Sequence, residues 1–278
     1  GFLNVSPSYQ GKGFGRRLLL RSIEESTKRG VKRLDLHTWS GNMKAMPLYK
    51  KTGFFWVPKT SVYMQNYLPR IFTFPAARDF FDKHPDWYRS FKRKLEVKED
   101  DFKLEGMKIF PYEWEEGGDK LRILVDREVR DITGAETNDF EIRCWVEEQD
   151  APAGIPLKIH WKVANKTGRN VSCSLLVEPD DGIKLLEEPP KSFIIGPRRS
   201  EEFMGRLLID PEIEDREEDE ASHKVKSNLI LEGKLMPLAT GLRVKQPVEI
   251  TFDPYHMIGR PGSEEELIIN ISNHLKKN

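Results

Sequence analysis

Three glycines fall within five positions, at Gly11, Gly13 and Gly15, with Lys12, Arg16 and Arg17 among and just beyond them. Glycine has no Cβ, so its N–H can come close to a bound phosphate, and it enters left-handed turns without steric cost. The residues after Gly13 read as the start of a helix. A helix start leaves its first N–H groups unpaired and carries the positive end of the helix dipole. Together these groups make an anion cradle suited to a phosphate or pyrophosphate. The spacing lacks the third glycine of a dinucleotide-binding G-x-G-x-x-G, and no Gly-Lys-Ser/Thr follows as in a P-loop.

The neighbouring elements must hold that turn in place. Phe2, Leu3 and Val5 alternate as the end of a strand, which Ser6-Pro7-Ser8 stops. A helix is expected from the turn to about Arg29, with Phe14, Leu18, Leu19 and Ile23 on one face and Gly30 at its C-cap. Val31 to Trp39 reads as a strand with Leu34 and Leu36 on one side. A second helix is expected from about Asn42 to Lys51, closed by Gly53, with Ser40 or Asn42 available as its cap. Phe54 to Val57 and Ser61 to Tyr67 then read as two strands joined across Pro58-Lys59-Thr60. The order is β-α-β-α-β-β.

Here a resemblance becomes specific. Gln10-x-x-Gly13-x-Gly15 is similar to the Q/R-x-x-G-x-G/A signature of the GNAT acetyltransferase superfamily. Asn42, Ala45, Leu48, Tyr49, Gly53 and Phe54 reproduce that family's N-x-x-A-x-x-L-Y-x-x-x-G-F block. The resemblance covers residues 1–67, the C-terminal half of the catalytic domain, and implies a partial GNAT fold. It further implies that acetyl-CoA is the co-substrate and that its acetyl group passes directly to a primary amine. The backbone of Leu3 and Val5 would pair with the pantetheine arm, as a strand added to a sheet edge does. Gln10 and the turn Gly11-Lys12-Gly13-Phe14-Gly15, with Arg16 beyond, would hold the pyrophosphate. Asn42 would contact the CoA arm, and Tyr49 would protonate the departing thiolate as a general acid. The N–H of Val5 is the nearest candidate to polarise the thioester carbonyl. Plainer roles stand beside these: Gln10 could brace the turn, Asn42 could cap a helix, and Tyr49 could be a core tyrosine. No general base is evident, since the first strand offers only Asn4. By the family's pattern the chain begins at the fourth strand. It is therefore expected to be N-terminally truncated and inactive by itself, with a sheet edge through which it could self-associate.

Composition agrees with a polyanionic ligand for this part. Residues 1–70 hold 13 Lys and Arg against 3 acids, in a chain whose totals are 45 and 45. CoA and nucleic acid both fit such a balance, but the basic residues are accounted for by a CoA site and solvated helix faces, so no nucleic-acid partner is expected. Residues 71–95 read as a helical connector broken near His84-Pro85. Residues 96–278 read as all-β, an immunoglobulin-like sandwich of short strands separated by turn-rich pieces. The expected fold class is therefore α+β, in three parts: 1–70, 71–95 and 96–278. A competing function is a non-catalytic sandwich that binds a carbohydrate or a protein, with Trp114, Trp145 or Trp161 stacking on sugar rings; core packing is the commoner use of such residues.

Two cysteines, Cys144 and Cys173, form no CxxC pair and read as reduced thiols, an inter-sheet bridge being the alternative. Six scattered histidines give no ligand spacing, so no metal is expected. No apolar run reaches membrane length and no secretory layout opens the chain, so a cytoplasmic location is expected. The acidic run from Glu212 to Glu220 reads as a solvated loop, or else as a dock for the basic segment.

Overall fold

Leu19 and Ile23 lie four residues apart on the first helix and are both buried, Ile23 in the main core and Leu19 in a smaller cluster with Met46, Tyr49 and Phe54. The computed structural model describes residues 3–39, 41–213, 215–216, 221–253, 262, 264, 266–273 and 275. Helix α1 (Phe14–Lys28) ends on Gly30, whose φ of 70° is the left-handed turn expected of a C-cap glycine. Strand β1 (Leu34–His37), helix α2 (Met46–Lys51) and strands β2 (Phe55–Trp56) and β3 (Tyr63–Asn66) follow. They form a three-stranded antiparallel sheet in the order β1-β3-β2, with Leu34 opposite Asn66 and Phe55 opposite Gln65.

Two expectations in this part are corrected. Residues 3–6 form no strand, because the Val5 carbonyl accepts from the Gln10 amide at 3.2 Å and nothing among the described residues pairs with the outer edge of β1. The second helix begins at Met46 rather than Asn42. Pro47 has no N–H to give and so fits only in a first turn, which fixes the start. Ser40 lies outside the described residues.

Three short helices come next: α3 (Leu68–Phe72), α4 (Pro75–Lys83) and α5 (Trp87–Ser90). Each of the first two opens on a proline in its first turn, and the break at His84-Pro85 falls where the sequence put it. Strands β4 (Phe91–Lys92), β5 (Phe102–Leu104), β6 (Met107–Glu116), β7 (Asp119–Asp126), β8 (Asp131–Thr137) and β9 (Phe140–Val146) then run in sequence. Beyond them lie β10 (Asp150–Pro152), β11 (Leu157–Asn165), β12 (Val171–Pro179), β13 (Ile183–Glu187), β14 (Ser192–Ile195) and β15 (Ser200–Ile209). Last come β16 (His223–Leu231), β17 (Lys234–Lys245), β18 (Val248–Asp253) and β19 (Ile268–Asn273).

One nine-stranded sheet has the order β13-β15-β11-β9-β8-β7-β6-β4, with β5 also on β6, and a five-stranded sheet has the order β10-β17-β16-β12-β14. The two meet across an apolar layer in which the Trp161 indole N–H of β11 donates to Ser227 Oγ of β16 at 2.8 Å. Strands β18 and β19 form a separate antiparallel ribbon. Strand β17 ends at Lys245 and β18 begins at Val248, the two divided at Gln246-Pro247.

Two prolines sit inside strands where no ladder bond is asked of them. Pro111 of β6 lies between the stretch that pairs with β5, ending at Ile109, and the stretch that pairs with β4, starting at Glu113. Pro237 of β17 faces Asn228 on one side, while β10 covers only Arg243 to Lys245 on the other. Trp114, Trp145 and Trp161 are all buried, as core packing requires, so none offers a ring face to a sugar. Cys144 and Cys173 are buried free thiols, and burial pushes Cys144 up to about 12. Asp215 and Arg216 of the acidic run bond to Val244, Lys245 and Asp180, within the β-rich part; residues 214 and 217–220 lie outside the described residues. No described helix is long and apolar enough to cross a membrane.

The apolar core is continuous from Ile23 of α1 to Val244 of β17. Phe55 of the small sheet sits 4.6 Å from Phe110 and 4.8 Å from Tyr112, both on β6. The Tyr112 hydroxyl donates to the Gly53 carbonyl at 2.9 Å and accepts from the Tyr67 N–H at 2.8 Å. Replacing Tyr112 with phenylalanine leaves both backbone groups buried without a partner, at about 1–3 kcal/mol for each. A fall in the urea midpoint with an unchanged m value is the expected outcome, and a midpoint that stays in place would contradict it.

Candidate functional site

The glycine turn is built as the sequence asks at two of its three glycines. A short 3-10 turn over Pro7–Tyr9 leads in, and the Gln10 side chain ties back to Val5, so Gln10 braces the turn. Gly11 has φ of 76° and Gly13 has φ of 79°, both in the left-handed region that favours glycine. Gly13 is also the N-cap of α1, with Arg17 N–H donating to its carbonyl at 3.1 Å. The N–H groups ahead of Arg17 are those a helix cannot satisfy from within.

Gly15 differs. Its φ is ordinary, and a Cβ there would meet Leu48 Cδ2 at 3.5 Å and Val5 Cγ2 at 3.8 Å, normal contact distances. The geometry thus demands glycine at 13 and accepts alanine at 15. Gly13→Ala is expected to cost about 1–2 kcal/mol through a left-handed non-glycine residue, whereas Gly15→Ala is expected to be neutral or slightly stabilising. Thermal melts of the two variants check this, and equal losses would refute it.

The cations are arranged over aromatic rings. Tyr9 and Phe14 meet edge to face at 5.7 Å; Lys12 lies 5.2 Å above the Tyr9 ring and Arg17 5.9 Å above Phe14. Arg16 reaches the other way, 5.5 Å from the ring of Tyr88 on α5. Farther along α1, Arg21 and Lys28 are neutralised by Glu24 and Glu25. Among the described residues Lys12, Arg16 and Arg17 have no carboxylate partner, so the helix start keeps a positive surface.

Leu3 is exposed and Val5 half-buried, both at the flank of the turn. Across the Gly15–Leu48 contact stands α2 with Tyr49, buried at 8 % exposure. Burial raises the Tyr49 phenol above its ordinary value, and a side-chain hydrogen bond with Asn42 pulls the other way. Asn42 in turn donates to Thr38 Oγ1 at 2.9 Å. Burial keeps the phenol protonated at neutral pH. Such a group can give a proton.

Phe14 and Leu18, expected on the buried face of α1, are exposed; only Leu19 and Ile23 of that set are buried. Thr38 and Tyr88 carried no signal in the sequence, since each acts through a fold-made contact with Asn42 or Arg16.

Residues 1–54 match the profile of the Acetyltransferase (GNAT) family, and the β-rich region follows. A [ribosomal protein bS18]-alanine N-acetyltransferase of Escherichia coli K12 is 40% identical over 65 residues, 23% of this chain and 41% of that protein. A mycothiol acetyltransferase of Beutenbergia cavernae is 40% identical over 52 residues, 19% of this chain and 18% of that protein. The chain thus spans about two-fifths of the length of the first relative and about a fifth of the second. Among solved structures, native E. coli alpha-2-macroglobulin aligns with 50% of this chain and 9% of its own, at 9% identity and a TM-score of 0.34.

Proposed function

We propose that residues 1–70 contribute the acetyl-CoA side of an N-acetyltransferase site, followed by a connector over 71–95 and a β-sandwich over 96–278. The carrying observation is Gly13, a left-handed N-cap that leaves open amides and three unneutralised cations around one helix start. Gly11, Lys12, Gly13, Phe14, Gly15 and Arg16 would take the pyrophosphate. Asn42 would reach the CoA arm, and the Leu3–Val5 backbone would lie along the pantetheine.

The chemistry asked of the chain is small. A neutral primary amine attacks the thioester carbonyl carbon, and the oxygen takes up the negative charge. The carbonyl then re-forms as the carbon–sulfur bond breaks. The CoA thiolate takes the Tyr49 proton, and the proton lost by the amine passes to water and restores the phenol. Charge and protons balance with no further reactant. The alanine N-acetyltransferase named above supports an amine acceptor, and two buried free thiols accord with a reducing cytoplasmic setting.

Thiol release from acetyl-CoA in the presence of amine acceptors tests the reading. Release should depend on both substrates, in this chain or in one extended upstream. Release that continues undiminished in Tyr49→Phe and Gly13→Val would overturn it.

A further inference from the structure

We infer that residues 88–100, outside the segment matched by the family profile, form a frame that positions Tyr49 by gripping the C-terminal end of its helix. The inference rests on the acetyl-transfer reading only in giving Tyr49 a catalytic role; the grip itself is structural.

Helix α2 has six residues, fewer than two turns, and isolated helices shorter than about 12–15 residues are marginal in water. Its orientation is therefore set by whatever holds it. Immediately after Tyr49, Lys50 turns inward and is 1% exposed. Its ammonium donates to Asp100 Oδ1 at 3.0 Å and to the Lys98 carbonyl at 2.7 Å. Asp100 Oδ2 accepts from the Trp56 N–H at 2.8 Å and stands 2.9 Å from Arg93 Nη2, a charge contact without hydrogen-bond alignment. The Arg93 guanidinium lies 3.3 Å from the centre of the Phe55 ring.

Lys51 reaches the same segment from the other side. It donates to the Phe91 carbonyl at 2.7 Å and lies 5.3 Å from the ring of Tyr88. That is the ring on which Arg16 of the phosphate turn rests. One stretch of chain therefore touches both the arginine beside the glycine turn and the two residues that follow Tyr49.

Burying a lysine with an arginine around one carboxylate is costly unless the geometry is well made. A chain that needed only a stable core could place apolar residues here. What the charged arrangement adds is a fixed register for α2, because the Lys50 ammonium is held at once by the Lys98 carbonyl and the Asp100 carboxylate, and Asp100 is itself tied to the Trp56 N–H. Asp100 and Lys51 are then positioning residues, acting on the reaction through Tyr49.

The test is the titration of the Tyr49 phenol in the full chain, labelled at tyrosine Cζ with carbon-13 and assigned through Tyr49→Phe. In Asp100→Ala the helix end is freed, and the Tyr49 resonance should titrate lower, back toward the ordinary 10.0, as the phenol gains solvent. Lys51→Met removes one half-buried contact and should produce a smaller shift in the same direction; it decides the matter if Asp100→Ala does not fold. Loss of stability alone would leave the Tyr49 titration where it was. A Tyr49 resonance that titrates as in the parent in each folded variant overturns the frame. Failure of the parent to bind CoA would instead sink the acetyl-transfer reading, and the Tyr49 titration would still decide the frame.

Discussion

Asp126→Ala is expected to destabilise the protein by about 3–5 kcal/mol, enough to unfold a large fraction of a marginal chain. The carboxylate is fully buried at the end of β7 and accepts from four donors on three separate segments. Gly241 N–H on β17 approaches at 2.7 Å, Gln149 Nε2 at 2.8 Å, Glu128 N–H at 2.9 Å and Thr240 Oγ1 at 3.4 Å. Removing the acceptor strands those donors in the layer between the two sheets. Burial pushes the Asp126 carboxyl from 3.8 up to about 6, and the bonds from Gly241, Glu128 and Gln149 restrain the rise.

The pH dependence has a definite sign. Between the two values the folded state binds the proton and the unfolded state does not, so stability falls as pH rises from about 4 to about 6 and is level above. The contribution over that window is about 3 kcal/mol. Denaturant titrations at stepped pH check this, and Asp126→Asn should flatten the slope. A slope of the opposite sign that disappears in the asparagine variant would contradict the account.

Tyr49→Phe carries the second large expected effect, on rate rather than stability. Positioned acid–base groups contribute about 10²–10⁴-fold, and the removal of one hydroxyl is expected to lower kcat by about a hundredfold or more. The KM for acetyl-CoA should stay within a few-fold, because a phenol acting as the proposed general acid would engage the sulfur only as the bond breaks. Burial raises the phenol above 10.0, so the donor stays protonated through neutral pH and the rate should fall only on the far alkaline side. That alkaline limb should vanish in Tyr49→Phe. Unchanged turnover in the variant would return Tyr49 to the plain role of a core residue bonded to Asn42.

What the sequence displayed and what it hid separate along one physical line. The glycine turn, the Gly30 cap and most strands of the β-rich part follow from local conformational preference or from alternation, which a linear reading can see. Strand β8 did not show, because Asp131, Thr133, Gly134 and Glu136 interrupt its apolar alternation. Its Thr133 hydroxyl is satisfied by the Cys144 carbonyl on the neighbouring strand, and Gly134 lies where a Cβ would crowd Arg143. The first half of β17 was masked by Pro237, which reads as a breaker unless its unpaired side is known.

Alternation at Leu3–Val5 suggests a strand, yet a strand exists only through a neighbour, and none among the described residues supplies one. At the site, Gln10, Asn42 and Tyr49 were visible as types and spacings. Lys50–Asp100, Tyr112–Gly53 and Asp126–Gly241 join residues 50, 59 and 115 positions apart, and nothing local announces such partners.

The most direct test of the central claim, that the turn from Gly11 to Gly15 cradles the CoA pyrophosphate, is calorimetric titration of CoA into the chain and its two glycine variants. The account predicts saturable binding by the parent, binding preserved in Gly15→Ala, and affinity lowered at least tenfold in folded Gly13→Val. No binding by the parent, or equal affinity in all three, would contradict it.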